Sequence, residues 1–214
     1  MKERKESAVS PVVGVMLMLV VTIIIAGVVA AFAGGLGSTE KTAPTIVAST
    51  EIWSAESYDN YAYGRFAMTV ESVSEPVSTA DLKLVTSWTG DDGVKYGNTT
   101  TAGMKNTKYD SYEYNAPIGM GSGVTGNQMT SGGYGENQWF GNYTLSAGTS
   151  MTANGAYTGE GKKGGIKTHT ANDAMDAILG DTWSENLEKG DIVSVKLIYL
   201  PSNAVIYEKE VIVK

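Results

Sequence analysis

The chain has no cysteine and a single histidine in 214 residues. Without cysteine there are no disulfide staples, thiolate zinc sites or iron–sulfur clusters. One histidine leaves no two-histidine acid–base pair and no histidine-rich metal site. Basic residues are outnumbered, 16 Lys and Arg against 23 Asp and Glu, for a formal net charge of −7. A nucleic-acid binder draws its affinity from neutralising phosphates, so the balance argues against one. Charge is missing altogether from Ala8 to Ser38, and no plain cytosolic globule needs such a stretch at one end. These absences point away from an enzyme.

What occupies the uncharged stretch is an apolar run, Val12 to Ala33, in which only Gly14, Thr22 and Gly27 are neither strongly apolar nor alanine. As a helix at 1.5 Å per residue it spans roughly 33 Å, enough to cross a hydrocarbon core. Lys2, Arg4 and Lys5 precede it, which keeps that end in the cytoplasm and puts the rest of the chain outside. Three uses of such a run compete. It is an uncleaved signal anchor, a secretory signal peptide with Ala31-Phe32-Ala33 before the cut, or the helix of a prepilin whose short charged leader is removed on the cytoplasmic side. The run is longer than an ordinary signal-peptide core of about 7–15 residues.

The sequence around residue 8 distinguishes them. Ala8-Val-Ser-Pro-Val-Val-Gly-Val-Met-Leu-Met-Leu-Val-Val-Thr-Ile-Ile-Ile-Ala26 follows charged Glu6 and small Ser7. This string resembles the N-terminal signature of archaeal type IV pilins, over about 30 residues. Ser10 is a good N-cap, and Pro11 is tolerated in a first turn, where its missing N–H would be unpaired anyway. Archaellins, which share the processing system, usually lack Ser-Pro-Val at this place. Bacterial type IV pilins usually carry glutamate at the fifth mature position, here Val12.

The resemblance implies a leader at residues 1–7 of the class III signal peptide type, cut between Ser7 and Ala8. It implies an apolar polymerisation helix with a glycine-rich hinge at 8–37 and an extracellular head at 38–214. The expected partners are a prepilin peptidase, the pilus assembly machinery, the membrane before assembly, and copies of the same chain in a helical filament that supports adhesion. No cofactor or metal is implied. The alternative is a membrane-anchored surface binding protein with an uncleaved anchor. Small residues recur at Gly27, Ala31 and Gly35, and at Ala26, Ala30 and Gly34, while Leu17, Ile24 and their neighbours are bulky. Small residues at i, i+4 and i+8 let apolar helices approach closely. Pro11, Gly14, Leu17, Ile24, Gly27, Ala31 and Gly35 are therefore the candidate polymerisation residues.

The head, about 175 residues, is large enough for one core without disulfides. Alternation predicts strands at 45–53, 65–73, 81–88, 191–200 and 204–214, the last two a hairpin turning at Pro201-Ser202-Asn203. Val85 and Trp88 suggest that the third strand shifts faces near its end. Residues 90–180 hold 19 of the 26 glycines and read mainly as long loops, with a short strand at 138–145, two helical turns at 171–179 and Trp183 under the sheet. The fold class is α+β: one long apolar helix, then an antiparallel, immunoglobulin-like β-sandwich.

The remaining motifs are weak. Gly121-Ser-Gly123-Val-Thr-Gly126 fits a dinucleotide pattern, but no apolar strand is read before it and no helix after it. Asp91-Asp92-Gly93 lacks the alternating acids of a calcium loop and reads as a hairpin turn. His169 stands alone, and Lys162, Lys163 and Lys167 read as a solvated patch. Asn98-Thr-Thr and Asn142-Tyr-Thr are N-glycosylation triplets, which would be exposed on an extracellular head. Tyrosines 58, 61, 63, 109, 112 and 114 lie in polar surroundings, where they cover strand edges or stack on sugars and neighbouring subunits.

Overall fold

The computed structural model describes residues 11–35, 42–58, 61–109, 112–126, 134–158, 174–181 and 183–214. The chain divides into two compact units, Met1–Lys41 and Thr42–Lys214. In the first, helix α1 runs Pro11–Gly35, 25 residues, or about 37 Å at 1.5 Å per residue.

The second unit contains strands β1 (Ile46–Tyr58), β2 (Tyr61–Val73), β3 (Val77–Ser78), β4 (Leu82–Thr89), β5 (Lys95–Thr101), β6 (Thr107–Tyr109), β7 (Tyr112–Tyr114), β8 (Ile118–Gly121), β9 (Thr144–Leu145), β10 (Thr149–Thr158), β11 (Ile192–Tyr199) and β12 (Ala204–Ile212). Two single-turn helices, α2 (Asp176–Leu179) and α3 (Trp183–Asn186), precede β11. The strands form two four-stranded sheets, ordered β1-β2-β10-β8 and β12-β11-β4-β5, with small ladders β3-β9 and β6-β7. Among the described residues every ladder of the large sheets is antiparallel. If β1, β2, β4, β5, β8, β10, β11 and β12 are lettered A, B, C, C′, D, E, F and G, the sheets read A-B-E-D and C′-C-F-G, the order of an immunoglobulin-type arrangement.

Both sheets feed one hydrophobic core. Ile52, Phe66, Met68 and Met151 come from the first, and Leu84, Trp88, Val193, Val195 and Leu197 from the second. The chain end laces the two sheets together: Lys214 N–H donates to Ile52 O at 2.9 Å and Ser54 N–H to Lys214 O at 3.2 Å. Buried Thr50 and Tyr207 share a hydroxyl–hydroxyl bond of 2.6 Å.

The five strands expected from alternation are present as β1, β2, β4, β11 and β12. The β11–β12 hairpin turns at Leu200–Asn203, where Asn203 takes φ 51, a conformation asparagine tolerates. Trp183 is fully buried, and its ring explains an otherwise odd glycine within β2. A Cβ on Gly64 would lie 2.1 Å from Trp183 Cη2.

Two expectations are corrected, at β4 and at 138–145. β4 does not shift faces. Leu82, Leu84, Thr86 and Trp88 all point inward in strict alternation, and Thr86 is the inward residue for a reason given below. Within 90–180, expected as long loops with two or more strands among them, β5 to β10 lie among the described residues, and β10 is an interior strand between β2 and β8. Its buried side chains include Met151 and Ala153, too few and too mixed with Thr and Gly to register as apolar alternation. The strand expected at 138–145 is a 3-10 turn at Glu136–Gln138 followed by the two-residue β9. Of the two helical turns expected at 171–179, residues 171–173 lie outside the described residues, and α2 is the helix within the rest.

Candidate functional site

Helix α1 is apolar on every side. Its large side chains from Val12 to Phe32 are all exposed, Val21 least at 44 % and Met18 most at 71 %. A helix that is apolar all round belongs in lipid or inside a bundle rather than in water. Residues Pro11–Ala33 are long and apolar enough to cross a membrane. Its one hydroxyl is already satisfied: Thr22 Oγ1 lies 3.0 Å from Met18 O and 2.8 Å from Leu19 O. Such back-bonding lets a threonine enter hydrocarbon without an unpaired donor.

Pro11 opens the described helix. At about 100° per residue, Leu17, Ile24, Ala31 and Gly35 fall within about 40° of one another. That stripe tapers from leucine to glycine toward the C-terminal end. At Gly14 and Gly27 no side chain of α1 lies within 4 Å of where a Cβ would stand, which leaves room for another helix to approach either closely. The processing residues Ser7 and Ala8, the cap Ser10 and Gly37 of the expected hinge lie outside the described residues, as do His169, Lys162, Lys163 and Lys167, while the hinge's Gly34 and Gly35 are the last residues of α1.

The two glycosylation triplets have very different settings. Asn98 is in β5, facing inward with Thr100. Its Nδ2 donates to Asp176 O at 3.0 Å, and its Oδ1 accepts the Thr99 N–H at 2.7 Å. Thr100, 1 % exposed, donates to Ala177 O at 3.1 Å. On the neighbouring strand, Thr86 donates to Ile178 O and Trp88 Nε1 to Leu179 O at 3.0 Å. Four side chains of one sheet face thus serve, in order, the four carbonyls of α2. A helix end leaves its last carbonyls without internal partners; in one-turn α2 the Gly180 N–H reaches only Asp176 O, at 2.8 Å, and the sheet side chains serve the carbonyls that follow. The inward threonines and asparagine are the answer to this, which is why an apolar alternation breaks at Thr86.

Asn142 is exposed and follows a turn in which its N–H donates to Trp139 O at 2.9 Å. Its Nδ2 donates to Glu136 O at 2.8 Å. Between the two triplet ends, Tyr143 is buried and donates to Pro117 O at 3.1 Å; burial pushes its hydroxyl well above the ordinary value of 10.0. Nearby Tyr112, Tyr114, Tyr134 and Trp139 form an aromatic cluster, with Tyr112–Trp139 centroids 5.9 Å apart and Tyr114–Tyr134 5.7 Å. Tyrosines 112 and 114 therefore pack on other rings. The side chains of 58, 61, 63 and 109 lie outside the described set.

Asp91-Asp92-Gly93 is the β4–β5 turn, closed by Gly90 N–H to Val94 O at 3.0 Å. Asp92 accepts the Tyr96 hydroxyl at 2.5 Å and the Val94 N–H at 2.9 Å. The Tyr96 bond first, then the Val94 N–H, holds its carboxyl below the usual 3.8. Contrary to the sequence reading, a strand does precede Gly121: β8 runs straight into it. That strand is an edge strand paired antiparallel to β10, and no helix begins at Gly126 among the described residues, so no helix N-terminus is present to meet a phosphate. No cluster of three histidine or carboxylate side chains capable of holding a metal occurs among the described residues.

Residues 7–48 match the family model described as archaeal type IV pilin, N-terminal. No curated protein matches the chain.

Proposed function

From the archaeal type IV pilin N-terminal domain at residues 7–48, we infer that this protein is a structural subunit of an extracellular pilus. The observation that carries the reading is the all-apolar, wholly exposed α1 that the domain contains. Chemically, α1 suits lipid first and like helices second, because van der Waals packing and close backbone approach decide association where burial gives no preference.

In this reading the precursor is held in the membrane by α1 with its N-terminus cytoplasmic. A prepilin peptidase hydrolyses the Ser7–Ala8 peptide bond, and the assembly machinery moves α1 from lipid into the core of a helical filament. The bulky residues around Leu17 and Ile24 supply area there. Gly27, Ala31 and Gly35 set how closely neighbouring helices cross. The β-rich head is displayed outside, carries N-linked glycan, and supports adhesion. The pilin family is structural, and no catalytic role is assigned to any residue.

N-terminal sequencing of surface-sheared material, combined with electron microscopy of it, tests the reading. Filaments whose subunits begin at Ala8 are expected. A chain that begins at Met1 and is recovered only with membranes would make it a surface binding protein with a permanent anchor. A chain that begins at Gly34 would have discarded the helix and would refute both.

A further inference from the structure

The fold has already committed the two Asn-x-Thr triplets differently. Every residue of Asn98-Thr99-Thr100 lies in β5, paired in register with Thr86, Val85 and Leu84 of β4. The Thr100 hydroxyl is buried, donates to Ala177 O at 3.1 Å and accepts Asn106 Nδ2 at 3.3 Å. The Asn98 carboxamide holds Asp176 O. An enzyme that must grip both the asparagine and the threonine hydroxyl could do so only with β5 stripped from β4 and α2 lifted from the sheet. In Asn142-Tyr143-Thr144 the two side chains to be gripped are within reach, although Tyr143 between them is buried and Thr144 pairs with Ser78 in the short β3–β9 ladder. Asn142 is exposed, Thr144 is partly exposed, and the bond that Asn142 Nδ2 makes to Glu136 O is itself at the surface. Bonds of that kind contribute little when broken in water.

We propose that Asn142 is the glycosylation site of this head, and that Asn98 is a structural asparagine that stays unmodified. This rests on the reading of the C-terminal unit as the extracellular part of a pilin. In the transfer, Asn142 Nδ2 bonds to the anomeric carbon of a lipid-carried glycosyl phosphate as the carbon–oxygen bond to the phosphate breaks. The phosphate leaves with the electron pair, and one amide proton passes to a base on the transferase. The product amide keeps one N–H, enough to maintain the bond to Glu136 O.

The test is peptide mass spectrometry of wild-type protein sheared from cells, alongside Asn142→Gln, Thr144→Ala and Asn98→Gln chains. Wild-type peptides containing Asn142 are expected to carry a saccharide mass and those containing Asn98 none. Asn142→Gln and Thr144→Ala should each lose the whole glycan shift on a gel, while Asn98→Gln keeps it. A saccharide on Asn98, alone or with Asn142, overturns the proposal, and so do two unmodified sites. The wild-type spectrum decides even if a variant fails to fold. The mature N-terminus, read from the same digest, reports separately on the pilin reading: a glycan on Asn142 in a chain beginning at Met1 would leave this site standing and remove the filament.

Discussion

Thr86→Val keeps the shape of a buried side chain and removes only its hydroxyl. In the native fold that hydroxyl donates to Ile178 O and accepts the Asn98 N–H at 3.2 Å. Valine strands a buried carbonyl and weakens the hold on a backbone N–H. Leaving one buried polar group unpaired costs about 1–3 kcal/mol, and valine's own better burial offsets a few tenths of that. A net loss of about 2 kcal/mol is expected, which for a domain of this size lowers Tm by about 4–8 °C. The assay is thermal unfolding of the full chain in detergent, followed by circular dichroism in the strand region. Thr86→Ser, which retains the hydroxyl, separates hydrogen bonding from packing and should lose clearly less. The four α2 carbonyls form one unit, since lifting the helix hydrates them all. The double variant Thr86→Val/Thr100→Val should therefore fall short of the sum of the singles by about 1 kcal/mol, as contacting residues do. A Thr86→Val shift below about 1 °C, or full additivity of the pair, would refute the account of α2 as clasped by the sheet.

Gly64→Ala places a Cβ 2.1 Å from the Trp183 ring and should cost about 1–3 kcal/mol by overpacking. In a Trp183→Leu background the same change should cost much less, and thermal unfolding of the four chains checks it. Ala31→Leu should reduce filaments seen by electron microscopy while the protein still fractionates with membranes; normal filaments from it and from Gly27→Leu would remove the packing role of the small-residue stripe. Burial raises the Tyr143 hydroxyl well above 10.0 and that of Tyr207 above the same value, the latter partly opposed by its bond to Thr50. Each folded-state value exceeds the unfolded one, so this contribution is whole below about pH 10 and is lost as pH rises beyond it. Denaturant midpoints should accordingly fall above pH 10 and fall less steeply in Tyr143→Phe. An alkaline limb unchanged by that substitution would contradict the assignment.

The sequence by itself determined the helix, the five long strands and the family likeness, because each is written in local order. A run of apolar residues wide enough for lipid declares itself without any partner, and residues such as Leu82, Leu84, Val193 and Val195 alternate plainly along their strands. The signature from Ala8 onward is contiguous, so no folding is needed to read it. Only the tertiary structure decided what the middle of the chain is. β5 and β10 bury small, polar or mixed side chains whose burial depends on distant strands. Thr86, Asn98 and Thr100 look like solvent-facing residues until α2, about 80–90 positions away in sequence, lays its carbonyls over them. The same contact separates two triplets that are identical as motifs: one hydroxyl is spent inside the fold, and the other asparagine is left in a surface turn. Hydrogen-bond demand from a remote element is invisible in local order, and it is what determines which polar residue is structural and which is free to react.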